Sequence, residues 1–260
     1  DDRRAFVGAD AVLFVLDAQD DHVTSLQFLV STIQRAYALN KRICFEVFIH
    51  KVDGLAEDRK LELQRDISHN VTKELAERGL DDANFSFYLS SIYDHSVYEN
   101  VSKVVQKLVP QLATLENLLD ILISNCRMEK AFIFDVLSKV YIATDSQPVD
   151  VQWFELSSDM LDVVVDIACI YGEVDEDSDA VAFEQAAAII SLNNGMVLYM
   201  KEVSRNLALV CLMRADNLQR QGLIEYNVEI LKHALKDVLA VGTTATPRAS
   251  IGLSSDVGSF

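Results

Sequence analysis

Apolar positions fall into two patterns along the chain. Up to Pro110, short unbroken apolar runs alternate with longer stretches in which apolar residues recur every three or four positions. Ala11-Val12-Leu13-Phe14-Val15-Leu16 is unbroken and rich in branched and aromatic residues, the composition of a parallel strand covered on both faces. A helix is predicted from His22 to Ala38, where Leu26, Leu29, Val30, Ile33 and Tyr37 share one face. Residues 43–49 read as a second strand, and residues 57–78 as a charged helix carrying Leu61, Ile67 and Leu75, with Gly79 as its C-cap. Phe85-Ser86-Phe87-Tyr88-Leu89 predicts a third strand. Val97, Val101, Val104, Val105 and Leu108 predict a third helix, stopped by Pro110. Three strand–helix units in succession predict a doubly wound α/β layer.

Beyond Pro110 the order changes. A helix around residues 115–123 leads into two strands, residues 131–136 and 140–143, close enough to form an antiparallel hairpin. A long helix over residues 151–171 carries Trp153, Leu156, Met160, Val163, Val164, Ile167 and Ile170 on a wide apolar arc, which predicts burial on more than one side. An acidic connection with Glu173, Asp175, Glu176, Asp177 and Asp179 follows and reads as solvated. Strands are then expected over residues 187–192, 196–203 and 206–213, with turns at Asn193-Asn194-Gly195 and Arg205-Asn206. A final helix covers residues 223–239. The expected units are residues 1–112, 113–240 as an α+β sandwich, and a Gly/Ser/Thr-rich disordered tail over 241–260.

Charge narrows the function. Forty acidic against 23 basic residues give a formal charge of −17, which opposes nucleic-acid phosphates and anionic membranes. No nucleic-acid partner and no direct membrane insertion are therefore expected. The longest apolar run, Leu207 to Met213, is far short of the about 20 residues that span a bilayer. Cys44, Cys126, Cys169 and Cys211 lack the close pairing of a zinc site and read as small buried hydrophobes in a reducing compartment. Since the sequence opens on Asp1-Asp2-Arg3-Arg4, it is expected to be a fragment or a processed product.

In a parallel α/β sheet, ligands bind outside the carboxyl ends of the strands. Three segments end there: Asp17-Ala18-Gln19-Asp20, His50-Lys51-Val52-Asp53 and Ser90-Ser91-Ile92-Tyr93-Asp94. A carboxylate after a buried strand can accept two adjacent N–H groups, and a lysine beside it can lay its methylenes along a flat ring, as a purine site requires. The simpler alternative is that Asp17, Asp53 and Asp94 cap the elements that follow. Acid–base catalysis by these three has little support, because no nucleophile, metal cluster or cofactor fingerprint accompanies them. Trp153, Phe154, Met160 and Leu161 suit either a core or a partner-facing stripe. His22, His69 and His233 read as surface residues, and His95 as a cap of the helix after it.

Taken together, His50-Lys51-Val52-Asp53 and the later Ser91-Ile92 resemble the guanine-specificity loops of Ras-like GTPases, with H-K-x-D in place of the usual [NT]-K-x-D. That replacement resembles the Rag GTPases. The likeness extends through Val15-Leu16-Asp17-Ala18-Gln19-Asp20-Asp21, Phe45 to Leu55, Glu129 to Val136 and Tyr141 to Ser146, and the later segments look like the C/D type. The resemblance implies the C-terminal part of a Ras-like P-loop GTPase domain followed by an α+β roadblock-type domain. It implies GTP or GDP as ligand, with Asp53 pairing with guanine N1–H and the 2-amino group and Lys51 packing along the base. The Ser91-Ile92 loop would approach O6, and His50, the family's departure from the usual residue, has the least defined role. It further implies a heterodimer with an A/B-type Rag, docking on a Ragulator-type scaffold at the lysosomal or vacuolar surface, and amino-acid signalling to the TOR complex. The location is then cytoplasmic and at that surface, with the nucleus as a further place.

No G-x-x-x-x-G-K-[ST] occurs in the sequence, and the magnesium-holding Ser/Thr is absent with it. The family resembled hydrolyses GTP. This chain alone is expected to be inactive and to bind GTP weakly or not at all. The rival expectation is a dimerisation and scaffold-docking module that works without nucleotide.

Overall fold

The structure is a computed structural model that describes residues 5–20, 22–171, 186–204 and 206–243. By backbone contacts the chain forms two compact units that divide between Asn100 and Val101, whereas the sequence expectation set the division at 112/113.

The first unit holds a three-stranded parallel sheet, β1 (Ala11–Asp17), β2 (Cys44–His50) and β3 (Asn84–Ser90), in the order β1-β2-β3. Helix α1 (His22–Leu39) connects the first two strands and α2 (Glu57–Glu77) the second and third. Consecutive strand order with right-handed crossovers puts both helices on one face. Alternation along the strands follows: Leu16, Phe45, Val47 and Ile49 join Leu29, Ile33, Ile67 and Leu75 in one core. Gly79 adopts φ +70 just past α2, a conformation that ends the helix without a Cβ clash. Helix α3 (Ser96–Leu108) follows β3.

Two expectations change here. The run Ala11–Leu16 is a strand, yet Leu13 and Val15 stay 49% and 57% exposed. Both crossover helices cover the opposite face, so the doubly wound expectation is met on one side of β1 only. On β2, by contrast, Glu46 and Phe48 are buried on that same outward alternation. Cys44 is half-buried at the start of its strand, while Cys126 and Cys211 are buried as expected. The side chain of Cys169 lies outside those described.

The second unit is a five-stranded antiparallel sheet in the order β5-β4-β8-β7-β6. Its strands are β4 (Met128–Asp135), β5 (Val140–Thr144), β6 (Ala187–Ser191), β7 (Met196–Ser204) and β8 (Leu207–Arg214). Helices α4 (Leu112–Cys126) and α6 (Gln221–Thr243) pack on one face through Leu115, Leu119, Ile224, Val228 and Leu231. On the other face lies α5 (Val151–Tyr171), where Phe154, Met160 and Leu161 meet Phe132, Phe134 and Tyr141. Phe134 stacks on Phe154 with ring centroids 5.9 Å apart. Phe154, Met160 and Leu161 are thus core, with Trp153 packed at its margin.

The wide arc of α5 is buried on one side only: Val163, Ile167, Ile170 and Tyr171 are exposed, and the sheet can take only one stripe of a straight helix. Asn206 takes the left-handed turn conformation between β7 and β8; its expected turn partner Arg205, the acidic connection over 173–179 and residues 244–260 of the expected tail lie outside the described residues. The last helix runs to Thr243 and is preceded by a 3-10 segment, Ala215–Arg220, so residues 241–243 are helical where a tail was expected. No helix among the described residues is long and apolar enough to cross a membrane.

Candidate functional site

Asp17, His50 and Ser90 lie in one row across the sheet, in register as the last residues of their strands. The loops that carry the expected site residues therefore leave the sheet side by side. The Ala18 amide continues the row, donating to the His50 carbonyl at 2.7 Å. His50 Nδ1 lies 3.0 Å from Ser90 Oγ, which fixes the ring over the end of β3.

After His50 the backbone turns sharply. Lys51 has φ +63 and ψ +38, the left-handed region, and Val52–Gly54 forms a 3-10 turn closed by Leu55 N donating to Val52 O at 3.0 Å. The Lys51 ammonium pairs with the Asp17 carboxylate. Lys51 is exposed and Asp17 partly so, and each shifts the other. The hydrogen bond from Lys51, then that from the Gln19 amide, hold the Asp17 carboxyl below its usual range, and Asp17 raises the Lys51 ammonium. Asp17 Oδ1 accepts the Gln19 backbone N–H at 2.9 Å. The Gln19 side-chain amide donates to the Lys51 carbonyl at 3.0 Å.

Asp53 is exposed, and its Oδ1 accepts the Ser91 hydroxyl at 2.7 Å. Ser91 is fully buried; its Oγ also accepts the Tyr93 amide at 3.1 Å, and its own N–H donates to Ser96 Oγ at 2.9 Å. Ile92 and Tyr93 stand out into solvent. The structure thus brings His50, Lys51, Asp53 and Ser91 together, and sets Ile92 beside them as an exposed apolar residue. Capping accounts for Asp94, whose Oδ1 accepts the Ser96 N–H at 2.9 Å as α3 begins. It does not account for Asp53, whose bond runs to another loop.

The chemistry this permits is recognition. A carboxylate with one oxygen anchored keeps lone pairs free for a pair of N–H donors, and the lysine stem offers an apolar edge. Among the described residues no group of three or more His, Cys, Asp or Glu could hold a metal ion.

Residues 1–161 match the family model of the Gtr1/RagA G protein conserved region. The chain belongs to the Gtr1/RagA G protein family. Within that family it is similar to Ras-related GTP-binding protein C of Homo sapiens, 54% identical over 92% of this chain and 60% of that protein. It is 55% identical to Ras-related GTP-binding protein D of Mus musculus, over 91% of this chain and 53% of that one. It is 48% identical to GTP-binding protein gtr2 of Schizosaccharomyces pombe, over 92% of this chain and 77% of that one. The Rag resemblance and its C/D type are therefore established, and the chain spans about 60% of the length of its human relative.

In this Rag-type chain, sequence reasoning missed Gln19, Ser90 and Ser96 as residues that shape the loops. Gln19 stands in the quoted Asp17-Ala18-Gln19-Asp20 segment, but its partner is 32 residues away. Beside the same loops a cavity of about 700 Å³ opens between α1 and α2, lined by Gln19, His22, Gly54, Arg59, Asp66 and Asn70 among others.

Proposed function

We propose that this chain is part of a C/D-type Rag GTP-binding regulatory protein, and that its three strand-end loops hold the guanine base of GTP or GDP. In this reading Asp53 accepts N1–H and the 2-amino group, and Lys51 lays its stem along the base. The Ser91-Ile92 loop faces O6, and His50 closes the row beside Ser90. The observation that carries the reading is the 2.7 Å bond from Ser91 to Asp53, which ties two separate loops around one exposed carboxylate. No phosphate or magnesium contact is assigned to these 260 residues, which contain no G-x-x-x-x-G-K-[ST].

The second unit is proposed as a roadblock-type half that pairs with an A/B-type Rag. Support comes from α5 and β6: the exposed stripe of Val163, Ile167, Ile170 and Tyr171, and a strand that stands at the edge of its sheet among the described residues. Edge strands with apolar neighbours invite pairing with another chain. A Ragulator-type scaffold, the lysosomal or vacuolar surface and amino-acid signalling to the TOR complex complete the reading. The net charge of −17 suits protein partners there better than direct lipid contact.

Titration of the full-length protein with fluorescent GDP and a xanthine nucleotide tests the guanine reading. Asp53→Asn is expected to lower guanine affinity by about 10- to 100-fold, the worth of a good two-point contact to a base edge, and to raise relative xanthine affinity. Unchanged preference would overturn it.

A further inference from the structure

Lys51 holds a left-handed backbone conformation without being glycine, a position that costs free energy and persists only where neighbours over-determine it. Three contacts over-determine it, and all come from the end of β1 and the loop that follows it. Ala18 N holds the His50 carbonyl, Asp17 holds the Lys51 ammonium, and Gln19 Nε2 holds the Lys51 carbonyl. Gln19 also occupies the space over Gly54. A Cβ built on Gly54 would lie 3.0 Å from Gln19 Nε2, while Gly54 itself does not need a positive φ. The glycine leaves that amide its room.

We propose that Gln19 is a positioning residue for the guanine loop: its amide clamps the Lys51 carbonyl and passes over Gly54, fixing the turn that aims Asp53. This rests on the guanine reading above. Lys51 and Asp53 would touch the base, and Gln19 would act through them. Asp17 assists by holding the Lys51 head, so that the methylene stem stays beside the base. Gly54 belongs to the same device, since a Cβ there would crowd the Gln19 amide at 3.0 Å and strain the bond it makes to the Lys51 carbonyl.

The test is a double-variant cycle of Gln19→Ala and Gly54→Ala in the full-length protein, first without nucleotide. Hydrogen exchange is read at the Leu55 amide, which closes the turn on Val52. Each single variant is expected to speed exchange by about fivefold to tenfold, the usual worth of one hydrogen bond, and the double variant to match Gln19→Ala alone. Additive effects, or no change in Gln19→Ala, would overturn the clamp. Both substitutions are at exposed positions, so the fold survives them.

Fluorescent GDP then reads the consequence. Gln19→Ala is expected to weaken binding by a similar factor. In the Asp53→Asn background it should weaken xanthine-nucleotide binding equally, because a clamp on the loop is indifferent to which base the loop reads. Loss confined to guanine would mean that Gln19 touches the base and would overturn the positioning role. Should Asp53→Asn leave base preference unchanged while the exchange coupling holds, the clamp is supported and the guanine reading fails.

Discussion

The Ser91 hydroxyl donates a 2.7 Å hydrogen bond to Asp53 Oδ1 across 38 residues of sequence. Because Ser91 is buried and Asp53 exposed, the bond transmits the rigidity of the sheet edge to a carboxylate in solvent.

Ser91→Ala removes that donor and the acceptor for the Tyr93 amide. A net loss of about 1 kcal/mol is expected, read as roughly fivefold weaker GDP binding in the full-length protein and faster exchange of the Tyr93 amide. Binding unchanged within twofold would show that Asp53 orients itself.

The Asp17–Lys51 pair gives the loop a pH dependence at both extremes. The Asp17 carboxyl titrates below its ordinary 3.8, so its contribution is present above that pH and is lost as pH falls through the depressed value. The Lys51 ammonium titrates above 10.5, so its contribution is present below that pH and fades as pH rises through the raised value. Lys51→Met should return the Asp17 titration, followed by carboxyl NMR, toward its ordinary position. High salt should weaken the coupling, because both groups reach solvent.

Tyr199 lies in the core between the sheet and the helices α4 and α6, and burial pushes its phenol up to about 12. An unfolded tyrosine ionises near 10, so between pH 10 and about 12 the unfolded state loses its proton first and stability falls. Tyr199→Phe should flatten this part of the alkaline denaturation profile. An equally steep profile in the variant would count against the assignment.

Lys130 and Asp145 form a buried ion pair at 3.0 Å, with Lys130 also donating to the Gln147 carbonyl at 2.7 Å and Asp145 accepting Ala131 N–H at 3.0 Å. Lys130→Ala strands a buried carboxylate and should cost about 3–5 kcal/mol in chemical denaturation. The joint replacement of both partners by apolar residues should recover part of that loss.

The two sides of α5 should behave oppositely. Phe154→Ala opens a cavity and is expected to cost about 3–5 kcal/mol. Ile170→Ser, on the exposed side, should change stability by less than about 0.5 kcal/mol while reducing co-purification of an A/B-type partner. Unimpaired pairing would move the interface elsewhere.

The sequence carried most of the elements because their periodicity is local: the strand at Cys44–His50 and the helix at Val151–Tyr171 follow directly from runs and stripes. What lay beyond it was pairwise. That Leu13 and Val15 are open depends on which face the crossover helices choose, and an unbroken apolar run looks the same whether one or two faces are covered. The candidate loops were legible because Asp53 and Lys51 have side chains suited to a base. Gln19 was not, since an amide that bonds to a distant carbonyl leaves no spacing signal.

The shared row of Asp17, His50 and Ser90 ties the strand-end loops to the interior. Strand side chains alternate, so sliding β2 by one residue would turn Phe45, Val47 and Ile49 outward and thrust Glu46 into the packed face. That slip is closed energetically, and with it every arrangement in which the three loops emerge out of step. Apolar residues far from the strand ends thus keep the timing of the polar ones, and a substitution deep under the sheet is expected to detune the proposed base recognition while leaving every loop side chain in place.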